Sequence, residues 1–302
     1  MAGAAQVLPK DELTSLLGKT SRTFALAIPI LGEPLETDVG LAYLLFRIAD
    51  TLEDATLWKR DVRLRALDSF GEWLVGDDEE RAWQDEVAKA PPVKDAGYME
   101  LLHRADAVRA AVRARGDDVS HVITQDVCRT AMRMGEFVTR QTDDGAMVLR
   151  DLRDLQDYCY AVAGIVGEML TSLFVRREPK LASKADALMK LSPAFGEGLQ
   201  LVNILKDAGS DAREGRVYIP RGVDRKDVVA LAREDLDNAD RYVELLEEGG
   251  ASDGSVMFCE LPRRLAVATL DRLDEGAPKL EREEVVRIFS DVTGASRAGR
   301  AQ

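Results

Sequence analysis

The sequence predicts an all-α protein, a single-domain helical bundle over residues 1–302. Three observations carry this. Apolar residues recur at a helical period along most of the chain. Ala, Leu, Arg and Glu are abundant while alternating Val/Ile/Thr runs are scarce. The breaks between periodic stretches are short turns rich in Gly, Pro and Asp, with no long linker and no internal repeat of fixed period.

The period places helices over 10–18, 20–29, 34–54, 59–75, 79–89, 97–115, 119–139, 151–175, 182–190, 194–213, 224–247, 258–275 and 281–291. Turn chemistry separates many of them. Gly32-Glu33-Pro34 ends the second, and Gly76-Asp77-Asp78, Pro91-Pro92, Gly116-Asp117-Asp118 and Asp143-Asp144-Gly145 punctuate the middle of the chain. Gly249, Gly250 and Gly254 separate the last long helices. The most apolar stretch, 158–175, is interrupted by Glu168 and barely long enough to span a bilayer, so it reads as a core helix. Met132, Met134 and Phe137 are spaced as core or cavity wall.

Charge excludes some functions. Lys plus Arg is 41 against 54 Asp plus Glu, a net charge of −13, and the pI is near 4.8. A nucleic-acid binder needs a basic footprint, so that class is set aside, as is tight docking on anionic lipid. Any membrane contact is expected to be peripheral. The two histidines, His103 and His121, have no partner at ligand spacing, which supplies a zinc hydrolase or a histidine triad poorly. Cys128, Cys159 and Cys259 make an odd set without a Cys-x-x-Cys, which predicts a reducing compartment. The first ten residues lack a basic region followed by an apolar one, so no signal peptide and a cytoplasmic location are expected.

Two helices carry an unusual polar stripe. Tyr43, Arg47, Asp50 and Asp54 are spaced +4, +3, +4, and the residues between them are almost all apolar. Gln200, Asn203, Asp207 and Asp211 are spaced +3, +4, +4 in an equally apolar setting. An apolar sheath around a polar line predicts that the line faces a cavity, because burying charge without a partner is costly. Carboxylates one turn apart offer oxygens to a hard cation such as Mg²⁺, with water and substrate phosphate completing the shell. Stripes facing each other in a bundle would hold a Mg²⁺ cluster against a diphosphate. A single acidic pair is usually a solvated face, and Asp77 with Glu80 and Asp235 with Asp240 are read that way, since they lack the sheath.

These residues resemble a known family. Asp50-Thr-Leu-Glu-Asp54 and Asn203-Ile-Leu-Lys-Asp207 through Asp211, followed by Gly215-Arg216-Val-Tyr218-Ile-Pro220, look like the two aspartate-rich motifs of the squalene/phytoene synthases. Ser21-Arg22-Thr23-Phe24 is similar to the family's Ser-Arg-Ser-Phe, and Tyr158-Cys159 through Gly164 and Gly167 to its Tyr-Cys-x-x-Val-Ala-Gly-x-x-Gly. The resemblance covers about residues 15–290 with the motifs in order. Lys206 stands where the family usually has Arg, and Ser210 where an acidic residue is common.

The resemblance implies an all-α isoprenoid-synthase fold with a central cavity, isoprenyl diphosphate substrates and Mg²⁺ dependence. It implies metal ligation by Asp50, Asp54, Asp207 and Asp211, and diphosphate contacts from Ser21, Arg22, Arg47, Gln200 and Arg216. Tyr158, Phe258 and Arg47 take catalytic roles: Tyr158 orienting the diphosphate or steering a proton, Phe258 facing a cation with its ring. The segment Phe258-Cys259-Glu-Leu-Pro262 through Leu270, with Tyr43 and Arg47, is similar to squalene synthases within the family. That implies two farnesyl diphosphates joined head to head and reduced with NADPH, with Tyr43, Asn203 and Lys279 at the cofactor. No Gly-x-Gly-x-x-Gly is present, so an all-α chain would hold NADPH by side chains. The alternatives are a phytoene or dehydrosqualene synthase, which uses no reductant, and a catalytically silent lipid-binding relative.

Overall fold

The computed structural model describes residues 8–21, 24–76, 82–141, 147–213, 217–277 and 279–298, without the side chains of 210–213 and 295–298. Among the described residues there is no strand, and the helices collect into two compact units.

The first unit holds α1 (Lys10–Thr20), α2 (Phe24–Ala27), α3 (Leu35–Glu53), α4 (Arg60–Val75), α5 (Ala82–Lys89), α6 (Ala96–His103), α7 (Ala105–Arg113) and α8 (Asp117–Thr139). α3 is its axis and packs on α1, α4, α6, α7 and α8. Leu41, Leu44, Leu45, Ile48 and Leu52 are fully buried, each contributing roughly 1.5–3 kcal/mol of transfer free energy. Phe70, Trp73 and Trp83 form a second centre with ring centroids 5.3–5.7 Å apart. Asp38 is buried at the start of α3 and is tolerated there because Arg115 donates to it at 2.5 Å.

The second unit holds α9 (Leu152–Cys159), a π-helical turn (Tyr160–Gly164), α10 (Ile165–Arg177), α11 (Ala185–Arg213), α12 (Arg225–Glu248), α13 (Asp253–Asp274) and α14 (Arg282–Ala298). α11 is the hub and packs on α9, the π turn, α10, α12 and α13. Glycines make that packing close. A Cβ on Gly167 would run into the carbonyl of Ser192, and one on Gly196 into the carbonyl of Ala163. Side chains at either position would force α11 away from the π turn and α10.

Four expected elements differ; the helix expected over 258–275 starts earlier, at Asp253, so that Gly254 lies inside α13 rather than in a turn. The helix over 97–115 breaks at Arg104, whose backbone N–H turns to Glu100 and Leu101 while its guanidinium reaches Glu12 on α1 at 2.7 Å. The helices over 182–190 and 194–213 are one helix, α11, with Pro193 inside it. Proline removes the N–H that Met189 would accept from. The Ser192 hydroxyl replaces it, donating to the Met189 carbonyl at 2.9 Å. The helix over 151–175 contains the π turn, an extra residue that periodicity does not signal. The segment Leu152–Arg177 is long and apolar enough to cross a membrane by composition, yet most of its apolar window is buried within the protein.

Met134 and Phe137 are core, whereas Met132 is 65% exposed on the opposite face of α8 and belongs to neither core nor wall. Cys128, Cys159 and Cys259 are free thiols, and burial raises the pKa of each.

Candidate functional site

α3 is buried on nearly every face except one line. Tyr43, Arg47 and Asp50 are half-buried and Asp54 is exposed, while their neighbours Leu44, Leu45, Phe46, Ile48, Ala49, Leu52 and Glu53 are buried. The stripe is therefore the accessible edge of a core helix. It is also pre-organised. Arg47 donates to the Tyr43 hydroxyl at 2.8 Å, and that hydroxyl donates to the Thr20 carbonyl at 3.2 Å. The guanidinium lies 5.4 Å from the Tyr43 ring and 5.8 Å from the Tyr98 ring, and pairs with Asp50 at 3.2 Å. Its Nε is buried without a partner. Desolvation pushes the Asp50 carboxyl up to about 6, with Arg47 opposing and Asp54 adding to the rise. A cation at this pair would relieve that cost.

α11 repeats the pattern in the second unit. Leu201, Val202, Ile204 and Leu205 are buried, whereas Gln200 and Asp207 are half-buried and Asn203 is exposed. Lys206, in place of the family's Arg, donates to the Asn203 amide oxygen at 3.0 Å and sits 3.3 Å from Asp207. It behaves as a point charge holding the stripe rather than as a fork. The Asp211 side chain, Arg22 and Arg216 lie outside the described residues.

The remaining expected residues sit as follows. The Ser21 Oγ accepts from the Phe24 N–H at 3.0 Å, so its hydroxyl opens α2. Tyr158 is buried and stacks on Tyr218 with centroids 5.3 Å apart, tying the Val217–Pro220 strap to α9. Phe258 is 2% exposed and meets Phe174 edge-on at 6.4 Å. Lys279 is exposed between α13 and α14.

The donor set fits Mg²⁺. Every candidate ligand is a carboxylate, and neither stripe contains a histidine or a cysteine. Among the described residues no cluster of three or more Asp, Glu, His or Cys is assembled as a metal cage. A cation at either pair would complete its shell with water and substrate oxygens, which suits an ion that dehydrates reluctantly.

Sequence reasoning missed three residues. Tyr98 reaches Arg47 from α6, a contact between distant segments with no local signal. Asp235, read as solvated, is 7% exposed and its Oδ2 has no hydrogen-bond partner. The reason is Gly198: with no side chain there, Asp235 closes onto α11, its Cβ 3.1 Å from where a Gly198 Cβ would stand. Its former companion Asp240 is exposed, as expected. Glu197, between Gly196 and Gly198, is the third. Burial pushes it up to about 7, with Asp235, Asp157 and Glu168 adding to the shift.

Known proteins bear on this geometry. A squalene synthase of Gibberella zeae is 28% identical over 298 residues, covering 90% of this chain and 60% of its own length. A squalene synthase of Bos taurus is 27% identical over 331 residues, covering 97% of this chain and 74% of its own. The chain thus spans about three-fifths to three-quarters of these relatives. Among solved structures, TcSQS with the ligand E5700 superposes with a TM-score of 0.74 at 26% identity, covering 93% of this chain and 85% of that one. A dehydrosqualene synthase shares the fold at a TM-score of 0.62 and 20% identity, covering 95% and 96%. The architecture is the all-α isoprenoid-synthase fold. The sequence model of the family described as squalene/phytoene synthase matches residues 17–228, across both aspartate stripes and the π turn between them in sequence, and the chain belongs to that family.

Proposed function

We propose that the protein joins two farnesyl diphosphates head to head, through a cyclopropylcarbinyl diphosphate, and reduces the product to squalene with NADPH. The observation that supports this best is the pair of polar lines flanked by buried apolar residues, with Asp50 and Asp54 on the line of α3 and Asp207 on that of α11. The names borne by the relatives point the same way.

Each residue has a task. Asp50 with Asp54, and Asp207 with Asp211, hold Mg²⁺, which when bound neutralises the charge on departing diphosphate. Arg47, fixed between Tyr43 and Tyr98, offers a directed fork to phosphate oxygens. Gln200, Ser21, Arg22 and Arg216 add donors. The apolar 158–175 segment keeps water from a cation that would otherwise be quenched. Tyr158, braced by Tyr218, orients the diphosphate, and Phe258 presents a π-face in the second ionisation. NADPH, when bound, supplies the hydride, since no side chain is a hydride donor. Asn203 and the exposed Lys279 offer it polar and cationic contacts.

Product analysis with C15 and C20 diphosphates, each with and without NADPH, tests this. Farnesyl diphosphate and Mg²⁺ alone should give the cyclopropyl diphosphate or its solvolysis products, and NADPH should divert the flux to squalene. Conversion of geranylgeranyl diphosphate to phytoene with indifference to NADPH would replace this reading with the reductant-free one. Asp50→Asn and Asp207→Asn should each slow diphosphate release on the order of a thousandfold with helicity unchanged.

A further inference from the structure

We propose that Glu197, held against the π-helical turn and backed by Asp235, accepts the proton lost when the two isoprenyl chains are joined. This rests on the head-to-head reading above and adds the base that it lacks.

Glu197 lies three residues before Gln200 and extends the stripe of α11 by one turn, giving Glu197, Gln200, Asn203 and Asp207 at +3, +3 and +4. It is clasped from two sides. Gly196 lets the backbone of the π turn touch α11, with the Gly164 nitrogen 3.1 Å from a Cβ at 196. Gly198 lets Asp235 of α12 close in from the other side. Glu197 Oε1 itself stands 3.0 Å from where Gly164 would carry a Cβ, so the carboxylate lies directly against the π turn. The π turn is the one departure from α geometry between Leu152 and Arg177, and such turns recur at functional sites.

Asp235 is 7% exposed and its Oδ2 accepts no hydrogen bond. A carboxylate buried that way is costly unless it carries or shares a proton. The groups that act on Glu197 are acidic on every side: Asp235 from α12, Asp157 from α9 and Glu168 from α10, with Glu234 acting on Asp235. The Cys159 thiol feels both Glu197 and Asp235, and the Tyr160 hydroxyl is 3.3 Å from both Glu168 oxygens. Both carboxyls are pushed up to about 7, Glu197 by burial and Asp235, Asp235 by burial and Glu234, so Glu197 takes up and releases a proton near neutrality.

The chemistry needs such an acceptor. The C1–O bond of one substrate breaks and its electrons leave with diphosphate. The C2=C3 π pair of the second substrate bonds to C1 and leaves a cation at C3. The electrons of a C1–H bond then close the cyclopropane ring to C3, and the proton passes to the Glu197 carboxylate. Two allylic diphosphates become one cyclopropylcarbinyl diphosphate, one diphosphate and one proton.

The test uses farnesyl diphosphate and Mg²⁺ without NADPH. Glu197→Gln should still release diphosphate but give at least tenfold less cyclopropyl product per diphosphate released, the rest appearing as allylic alcohols. The ascending limb of the wild-type pH–rate profile near pH 7 should vanish in Glu197→Gln. In Asp235→Asn the limb should survive at lower pH, because an anionic neighbour is gone. Infrared titration of the substrate-free protein should show protonated-carboxyl absorption that fades near pH 7, and Glu197→Gln should lose the Glu197 part of its amplitude while keeping the Asp235 part. Equal product-to-diphosphate ratios and superimposable pH profiles in wild type and Glu197→Gln overturn the proposal, and an unmoved limb in Asp235→Asn overturns the pairing. A wild type that forms no cyclopropyl product from C15 or C20 substrate overturns the head-to-head reading and the proton-acceptor role with it. The Glu197 part of the infrared band separates that failure from a Glu197 that is already ionised.

Discussion

The Arg47 guanidinium and the Tyr43 hydroxyl are 2.8 Å apart, and because that hydroxyl also bonds the Thr20 carbonyl, one turn of α3 is locked to the end of α1. The lock aims a cation along the accessible line that carries Asp50. Tyr43→Phe removes the acceptor of a charged hydrogen bond, which typically contributes about 1.5–3 kcal/mol. The expected result is a tenfold to hundredfold (roughly) fall in kcat/KM for the diphosphate substrate, carried mainly by KM, with little change in thermal midpoint. Arg47→Lys, which loses both the fork and the ring stacking, should be worse than Tyr43→Phe. A fully active Arg47→Lys enzyme would remove Arg47 from the diphosphate site.

The glycines of the second unit should separate by what surrounds them. Gly167→Ala or Gly196→Ala sets a methyl against the facing backbone, and neither Ser192 nor Ala163 can move without displacing a helix. Each should cost about 3 kcal/mol or more. Gly135, in the middle of α8, has open space around a Cβ, so Gly135→Ala should gain about 0.5–1 kcal/mol. Urea midpoints of the three variants measure this. A stable Gly167→Ala protein would show that the approach of α10 to α11 is looser than described.

The stripes of α3 and α11 were legible because their signal is local: polar residues at helical spacing inside apolar runs. Asp235 was not, because its spacing to Asp240 is that of an ordinary surface pair and its burial depends on Gly198, 37 positions earlier in the chain. Tyr98 was hidden for the same reason, since α6 meets Arg47 only in three dimensions. The break at Arg104 and the continuity through Pro193 show the complementary limit. Propensity marks proline as a stop, but a neighbouring hydroxyl that satisfies the freed carbonyl lets the helix run on.

That substitution of donors is itself testable. Ser192 is fully buried, and Ser192→Ala leaves the Met189 carbonyl without its donor, at a cost of about 1–3 kcal/mol. Pro193→Ala restores the backbone N–H. In the double variant the new N–H takes over the Met189 carbonyl, so the penalty of Ser192→Ala should largely disappear. A double-mutant cycle from denaturation curves reads the coupling. Additive effects would mean that the hydroxyl does not serve the carbonyl.

Glu197 and Asp235 are each pushed up to about 7 by burial, Glu197 further by Asp235 and Asp235 by Glu234. In the unfolded chain both revert to ordinary carboxyl values near 4. Between about pH 4.5 and pH 7 the folded state therefore binds more protons than the unfolded one, and stability falls as pH rises through that window. The contribution is fully present below the unfolded values and lost above the folded ones. The pairs Arg241–Glu248 and Arg272–Glu284 lower their carboxyls, so their contribution is lost only at more acid pH, whereas Asp50, pushed up to about 6, titrates inside the window and leaves a residual slope. Unfolding free energy should drop on the order of a few kcal/mol from about pH 5 to about pH 8. In a Glu197→Gln, Asp235→Asn double variant, whose amides stay neutral throughout, the slope should flatten and the protein should be the more stable of the two at about pH 8. Parallel pH–stability curves for the wild type and the double variant would show that this pair is solvated and titrates as ordinary surface acids do.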